Sequence, residues 1–311
     1  LAAVGTARAQ EDYPFTGAAT TGSTHGSESW STVWAQMKAS LSNYTQAKRW
    51  VDVTNLADYM ILSFYVGNDW DWSVQHNWGA AGPRLPDWGG WKFFQQDQDI
   101  SIQDVNSDCT DQAVPDNIFG TLMAHADFKV LFRDRIYKPL FHEGVLTPAK
   151  AAGYYDLRAS SINTAIVAET ARWQPSSSVG PLPWDRDGEW TVERNYLMNT
   201  YFPQRTAIQM NQFRTRGWYP VEAPEMSQWG GAVPPGTQIF LTGPAAATIY
   251  YTLDGSDPRL PGGAISPAAF AYSGSISQQR LVAADEVGDH IVVRVEGAAA
   301  LQGEQPVGEH L

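Results

Sequence analysis

Cysteine is almost absent: Cys109 stands alone among 311 residues, which excludes an internal disulfide and any multi-cysteine zinc site. Charge is also sparse, at 17% of residues, and it leans acidic, with 21 Lys plus Arg against 33 Asp plus Glu and a net charge of −12. No basic run interrupts that balance, and attraction to a phosphate backbone needs clustered Lys and Arg. Nucleic acid is therefore not an expected partner. No apolar run approaches the roughly 18 residues of a membrane span, so none is expected in this chain. The opening, LAAVGTARAQEDYPFTG, lacks an initiator methionine and the charged and apolar regions of a signal peptide. We expect the true N-terminus to lie further upstream.

What the chain does have is apolar and aromatic. Hydrophobic residues make up 43% of it and thirteen are tryptophan, a composition that folds. At this length two domains are expected, each able to bury its own core. Residues 1–27, rich in Ala, Gly and Thr, read as loop. Helical spacing then begins at Glu28, with Trp30, Val33, Trp34, Met37 and Leu41 on one stripe and Ser27 as its N-cap. Asn55 is the expected N-cap of a second helix, which Leu56, Tyr59, Met60, Leu62, Phe64 and Val66 make apolar on most sides.

Gly and Pro turn signals in NWGAAGPRLPDWGGWKFFQQD predict a hairpin whose second strand is WKFFQQD. Helices are expected to return in DNIFGTLMAHADFKVLFRDRIYKPLF, after Thr147-Pro148, and up to Gly217, with a break or kink at Pro203. Near residue 221 the composition turns to Pro and Gly, and IFLTG, TIYYTLDG and IVVRVEG read as strands. Asp254-Gly255 and Asp257-Pro258 supply reversals for a small antiparallel β-sandwich. The expected fold is thus α+β and multidomain.

Four acidic positions frame the hairpin, Asp69 and Asp71 before it and Asp97 and Asp99 at its end, with Asn77 between. Side by side they would form an oxygen-rich pocket suited to Mg²⁺; separately they would cap turns or line an exposed strand edge. DQDISIQDVNSD also aligns with a calcium loop through Asp97, Asp99, Ser101 and Asp108, but Ile102 occupies the position that needs glycine. Paired carboxylates with Trp70, Trp72, Trp78, Trp88 and Trp91 stacked on sugar rings would suit a glycosidase, while core packing is the commoner fate of tryptophan. His76 and Cys109 lack a visible catalytic partner and read as a structural residue and a plain thiol.

Taken in order, GNDWDWSVQHNW, WKFFQQDQD, LFRDRIYKPLFHEGVLTP and AIVAETARW resemble the spore coat protein H (CotH) kinase family. Its members carry a GN-x-DW and NNW stretch, a strand ending in F-x-WD-x-[DE], a DR with LT segment, and an E-x-x-RW. The likeness runs from about residue 50 to about residue 220. Further on, IYYTLDGSDPR is similar to the chitobiase/β-hexosaminidase C-terminal type of Ig-like β-sandwich, a non-catalytic domain. These resemblances imply residues 1–27 as the remnant of a missing N-terminal lobe, 28–221 as a mainly helical kinase-like C-terminal lobe with a small hairpin, and 222–311 as the sandwich.

CotH proteins are atypical secretory-pathway kinases. The resemblance therefore implies transfer of the γ-phosphoryl group of ATP to a Ser or Thr hydroxyl of a secreted or cell-envelope protein, with Mg²⁺ or Mn²⁺. Carried over by motif, Asp71 orients the acceptor hydroxyl, Asn77 and Asp97 hold the metal, and Trp91 lines an adenine pocket. One extra residue between GN and the DW that leads to HNW makes Asp69 a competitor of Asp71. His76 and Gln96 also replace the family's Asn and Trp. No β-rich lobe with a phosphate-binding lysine precedes the helices, and Lys38 and Lys48 read as solvated, so a fragment or a pseudokinase is implied. From another class, an extracellular carbohydrate-binding or adhesion protein, with the sandwich as its working part, is the alternative.

Overall fold

The computed structural model describes residues 13–16, 30–67, 78–83, 85–95, 98–112, 115–173, 185–228, 234, 236–277 and 292–296. The fold is α+β, about half helical, with small antiparallel sheets. In chain order the helices are α1 (Trp30–Ser40), α2 (Tyr44–Trp50), α3 (Val53–Val66), α4 (Ile118–Leu122), α5 (Ala126–Leu140), α6 (Pro148–Trp173), α7 (Thr191–Tyr196) and α8 (Phe202–Thr215).

Helix α3 is the axis of the larger core. Leu56, Ala57, Tyr59, Met60, Ile61, Phe64 and Tyr65 are all buried, as its dense apolar content predicts. Asp52 caps it, accepting from Asn55 N at 2.9 Å, so Asn55 lies inside the first turn and is not the cap expected from sequence. Its side chain has another task. Asn55 Oδ1 accepts from Phe93 N at 2.6 Å and Nδ2 donates to Phe93 O at 3.3 Å, clamping a strand to the helix as a neighbouring strand would.

That strand belongs to the predicted hairpin. Strand β2 (Trp78–Gly82) pairs antiparallel with β3 (Lys92–Gln95), placing Trp78 opposite Gln95 and Ala81 opposite Lys92. A third strand, β1 (Tyr13–Thr16), pairs with the other edge of β2. Residues 1–27 are thus not all loop: YPFT has strand-forming aromatics, and Pro14 is tolerated because β1 is an edge.

Beneath the hairpin, Trp34 stacks on Trp78 at 5.9 Å and meets the edge of Trp91 at 5.1 Å. Around α3, Phe64, Phe119, Phe132, Phe213 and Trp218 form an aromatic nest with ring centroids 5.0–6.2 Å apart. Such packing makes truncation of any buried ring cost about 3–5 kcal/mol.

Of the break or kink expected at Pro203, the break does not occur. The chain stays helical from Arg186 to Thr215 through two π turns, Arg186–Trp190 and Leu197–Tyr201. The second π turn ends just before Pro203, with Phe202 N bonding Leu197 O in the wider register, and this local change in the ladder accommodates a residue that has no N–H to donate. At the far end, Gly217 at φ 68° closes α8. Trp218 N donates to Phe213 O and Gly217 N to Arg214 O, both at 2.9 Å, the paired bonds of a Schellman motif.

A second, smaller core gathers Met226, Ile239, Leu241, Ile249, Tyr251 and Ile276. Its strands are short: β4 (Glu225–Met226) pairs with β6 (Leu241–Thr242), β5 (Gln238–Ile239) with β9 (Ile276–Ser277), and β7 (Thr248–Thr252) lies between β8 (Phe270–Ala271) and β10 (Val292–Glu296). The predicted reversal at Asp254-Gly255 is present, with Gly255 at φ 74° and the Asp254 carboxylate accepting from Ser256 N and Oγ.

The two cores meet through Arg259. Its guanidinium, 4% exposed, contacts Asp134 of α5 at 2.6 Å and Asp257 at 3.0 Å. Burial pushes this guanidinium down, but the two carboxylates outweigh it and hold it above its ordinary range. Gly262 N also donates to Asp127 Oδ1.

Candidate functional site

Helix α3 ends at Gly67, in the left-handed conformation with φ 65°, where GNDWDWSVQHNW begins. A Cβ there would lie 3.0 Å from Ser107 Cβ, so glycine answers both the turn and the crowding. The loop after WKFFQQD returns to the same spot. Ser107 Oγ donates to Gly67 O at 2.9 Å and Ile102 N donates to Val66 O at 2.7 Å. Ile102 takes φ 57°, a strained conformation for a β-branched side chain.

One fully buried residue fixes this junction. Arg205 of α8 donates from Nε to Tyr65 O at 2.7 Å, from Nη1 to Val105 O and Ser107 O at 2.8 Å, and from Nη2 to Phe64 O at 2.5 Å and Gln209 Oε1 at 2.9 Å. Five oxygens replace its hydration shell, and two are carbonyls at the negative C-terminal end of α3. No local pattern in the sequence marks Arg205, because an arginine in an amphipathic helix usually points to solvent.

Asp69, Asp71, His76, Asn77 and Asp97 lie outside the described residues. What is described is their frame. Gly67 and Trp78 flank the first segment, Gln95 and Gln98 the second; Trp78 pairs with Gln95, and Gly67 is tied to Ser107. The end of the first segment and the start of the second are therefore paired at one end of the hairpin, while the first segment begins at the α3 terminus, which is tied to the 102–107 loop.

Trp91 lies elsewhere than the resemblance implies. It is fully buried against Trp34, and its backbone bonds Trp50 O and Asp52 N. A ring with no exposed face cannot receive an adenine, so its role is core packing. Trp78 is 1% exposed and likewise offers no sugar-stacking face. Cys109, read from sequence as a plain thiol, is buried, with its sulfur 3.7 Å from Ser107 Oγ. Asp108 accepts from Thr110 N at 3.0 Å and Thr110 Oγ1 at 2.5 Å, turned into its own local turn. Among the described residues no group of three or more His, Cys, Asp or Glu is arranged to hold a metal.

Beside the frame opens a cleft of about 830 Å³, walled by Asp99, Ile102, Tyr155 and Ile166 on one side and Asp185, Glu189 and Glu193 on the other. Burial pushes the Tyr155 hydroxyl up, as does Glu193, with Arg194 opposing. The wall is acidic, and among the described residues no Lys or Arg lines it.

No family model, no curated protein and no solved structure matches the chain. The family reading therefore rests on the motifs and on what they do in this fold. Asp134 and Arg135 of the DR segment make ion pairs, with Arg259 and with Asp58 at 2.5 Å, and so brace α5 against the smaller core and α3. Lys38 pairs with Asp116 at 2.8 Å, and Lys48 lies 5.1 Å from the Tyr44 ring centroid. Both are on the helical surface, as expected of solvated lysines.

Proposed function

We propose that the chain carries the C-terminal lobe of a CotH-like atypical protein kinase, one that transfers the γ-phosphoryl group of ATP to a Ser or Thr hydroxyl of a secreted or cell-envelope protein. The observation that supports it is the ordered motif set, in which the residue after the first acidic segment, Trp78, pairs with the residue before the second, Gln95. In this reading Asp71, with Asp69 as its competitor, orients the acceptor hydroxyl. Asn77 and Asp97 offer the hard oxygen donors that Mg²⁺ or Mn²⁺ takes. The metal, when bound, neutralises charge on the phosphates.

Among the described residues the acidic cleft beside Asp99 presents no cation for a nucleotide phosphate, so we assign it to the acceptor protein. ATP lies on the hairpin side. Calorimetric titration of the complete encoded protein with Mg²⁺·ATP tests this placement. Binding that Asp97→Ala weakens at least tenfold supports it, and binding indifferent to Asp97 and Asn77 removes the metal assignment.

A second reading, a carbohydrate-binding β unit, is favoured by Phe240 and Phe270, which are 52% and 50% exposed. A sugar array probed with the whole chain and its Phe270→Ala variant decides it. Sugar binding lost in the variant supports this reading; an array without signal removes it.

A further inference from the structure

A small pocket of about 310 Å³ lies between α5 and the end of α8. Lys129, Phe132 and Arg133 face it from α5, at the i, i+3 and i+4 positions of one helical face. Arg216, Gly217 and Trp218 close it from the Schellman turn, with Met123 at the rim.

Its charge runs against the rest of the molecule. In a chain of net charge −12, three cations line this pocket and, among the described residues, no carboxylate does. Among the described residues, none of Lys129, Arg133 and Arg216 forms a salt bridge with an acid. The nearby acids are engaged elsewhere: Asp134 pairs with Arg259, and Asp108 reaches Arg216 only through the Thr110 hydroxyl, to which Arg216 Nε donates at 2.8 Å.

Arg133 is the least compensated. Its Nε is buried and has no hydrogen-bond partner among the described residues, and its Nη2 reaches Gly217 O only at 3.5 Å, the outer limit of a hydrogen bond. Burial pushes the guanidinium below its ordinary range; Asp134 opposes this and Arg259 adds to it. A partly desolvated cation with an unused donor is costly unless something anionic completes it.

We propose that this pocket binds the phosphate group of a small ligand, either free inorganic phosphate or a phosphomonoester. Arg133 and Arg216 supply planar donor forks and Lys129 a point charge, the chemistry that recognises a phosphate dianion. The C-terminal carbonyls of α8 oppose it with about half a negative charge. Three full positive charges outweigh that. The ring of Trp218 and the buried Phe132 give an apolar floor, which leaves room for an organic substituent on the phosphate.

None of these residues enters the proposed phosphoryl transfer, so the two readings fail separately. The test is isothermal titration of the whole chain with inorganic phosphate, with phenyl phosphate, and with phenol as the uncharged control. We expect both phosphates to bind and phenol not to. Tighter binding of phenyl phosphate identifies a monoester as the ligand, and equal binding identifies free phosphate. Lys129→Gln, at an exposed position that leaves folding intact, should weaken binding several-fold, and Arg133→Gln at least tenfold. Asp97→Ala should leave it unchanged. Absence of phosphate binding, or binding that survives in the Lys129→Gln variant at wild-type affinity, overturns the proposal.

Discussion

Arg205 shows how much one side chain can organise. Its five oxygen partners belong to the end of α3, the 105–107 loop and α8 itself. Arg205→Leu fills much of the space but leaves the carbonyls unpaired, and should cost about 3 kcal/mol or more, measured as a lowered denaturation midpoint. A gentler effect is expected at Asp254. Hydrogen bonds from the Ser256 hydroxyl and amide hold its carboxyl below the ordinary carboxylate range. A depressed folded pKa means stability that is present at neutral pH and lost as pH falls through the ordinary range toward the folded value. Asp254→Asn should therefore lower the melting temperature slightly at neutral pH, match the wild type in acid, and so flatten the acid limb of the profile. The Asp254 turn was legible in the sequence because Asp-Gly carries its own local chemistry. Arg205 was not, because its burial depends on carbonyls about 100 to 140 residues away.

Among the elements, those with strong periodicity were readable. The stripe of α1, the apolar content of α3 and the Gly/Pro pattern of the β2–β3 hairpin all lead to the elements observed. Competition between equivalent residues was less readable. Asp52 and Asn55 both suit an N-cap, and the choice is made by Phe93, whose backbone takes both ends of the Asn55 amide. Asn55→Ala keeps the cap and removes only the clamp. It should cost about 1–3 kcal/mol and speed hydrogen exchange of the Phe93 amide selectively. Pro203 teaches a similar lesson: read locally it interrupts a helix, yet a π turn just before it lets the helix continue. Strand β1 escaped notice because four residues in an Ala- and Gly-rich stretch carry little signal until β2 offers an edge.

At the scale of the molecule, the change of composition near residue 221 corresponds to the passage from one hydrophobic core to another. What sequence did not reveal is the bond between them, since TLDGSDPR reads as turn chemistry alone. Its Arg259 forms a buried ion pair with Asp134, at 4% and 9% side-chain exposure. Removing one partner of such a pair typically costs about 3–5 kcal/mol, with Asp257 retained here as partial compensation. Asp134→Ala should split the thermal unfolding into two calorimetric transitions, the smaller core melting first; a single transition at the wild-type temperature would refute that coupling.

The proposed site is carried by a motif set alone; of its flanks, Trp78 pairs with Gln95, and Gly67 accepts from Ser107. The Trp91 assignment failed because composition cannot distinguish a stacking platform from a core ring. The most direct measurement is transfer of labelled γ-phosphate from ATP by the complete encoded protein to a Ser/Thr-containing acceptor, with wild type beside Asp71→Ala, Asp69→Ala and Asp97→Ala. Phosphoryl transfer by the wild type that falls at least a hundredfold in Asp97→Ala and in one of the other two variants is expected. Undiminished transfer in Asp97→Ala, or a wild type that neither binds nor hydrolyses ATP, would contradict the kinase reading.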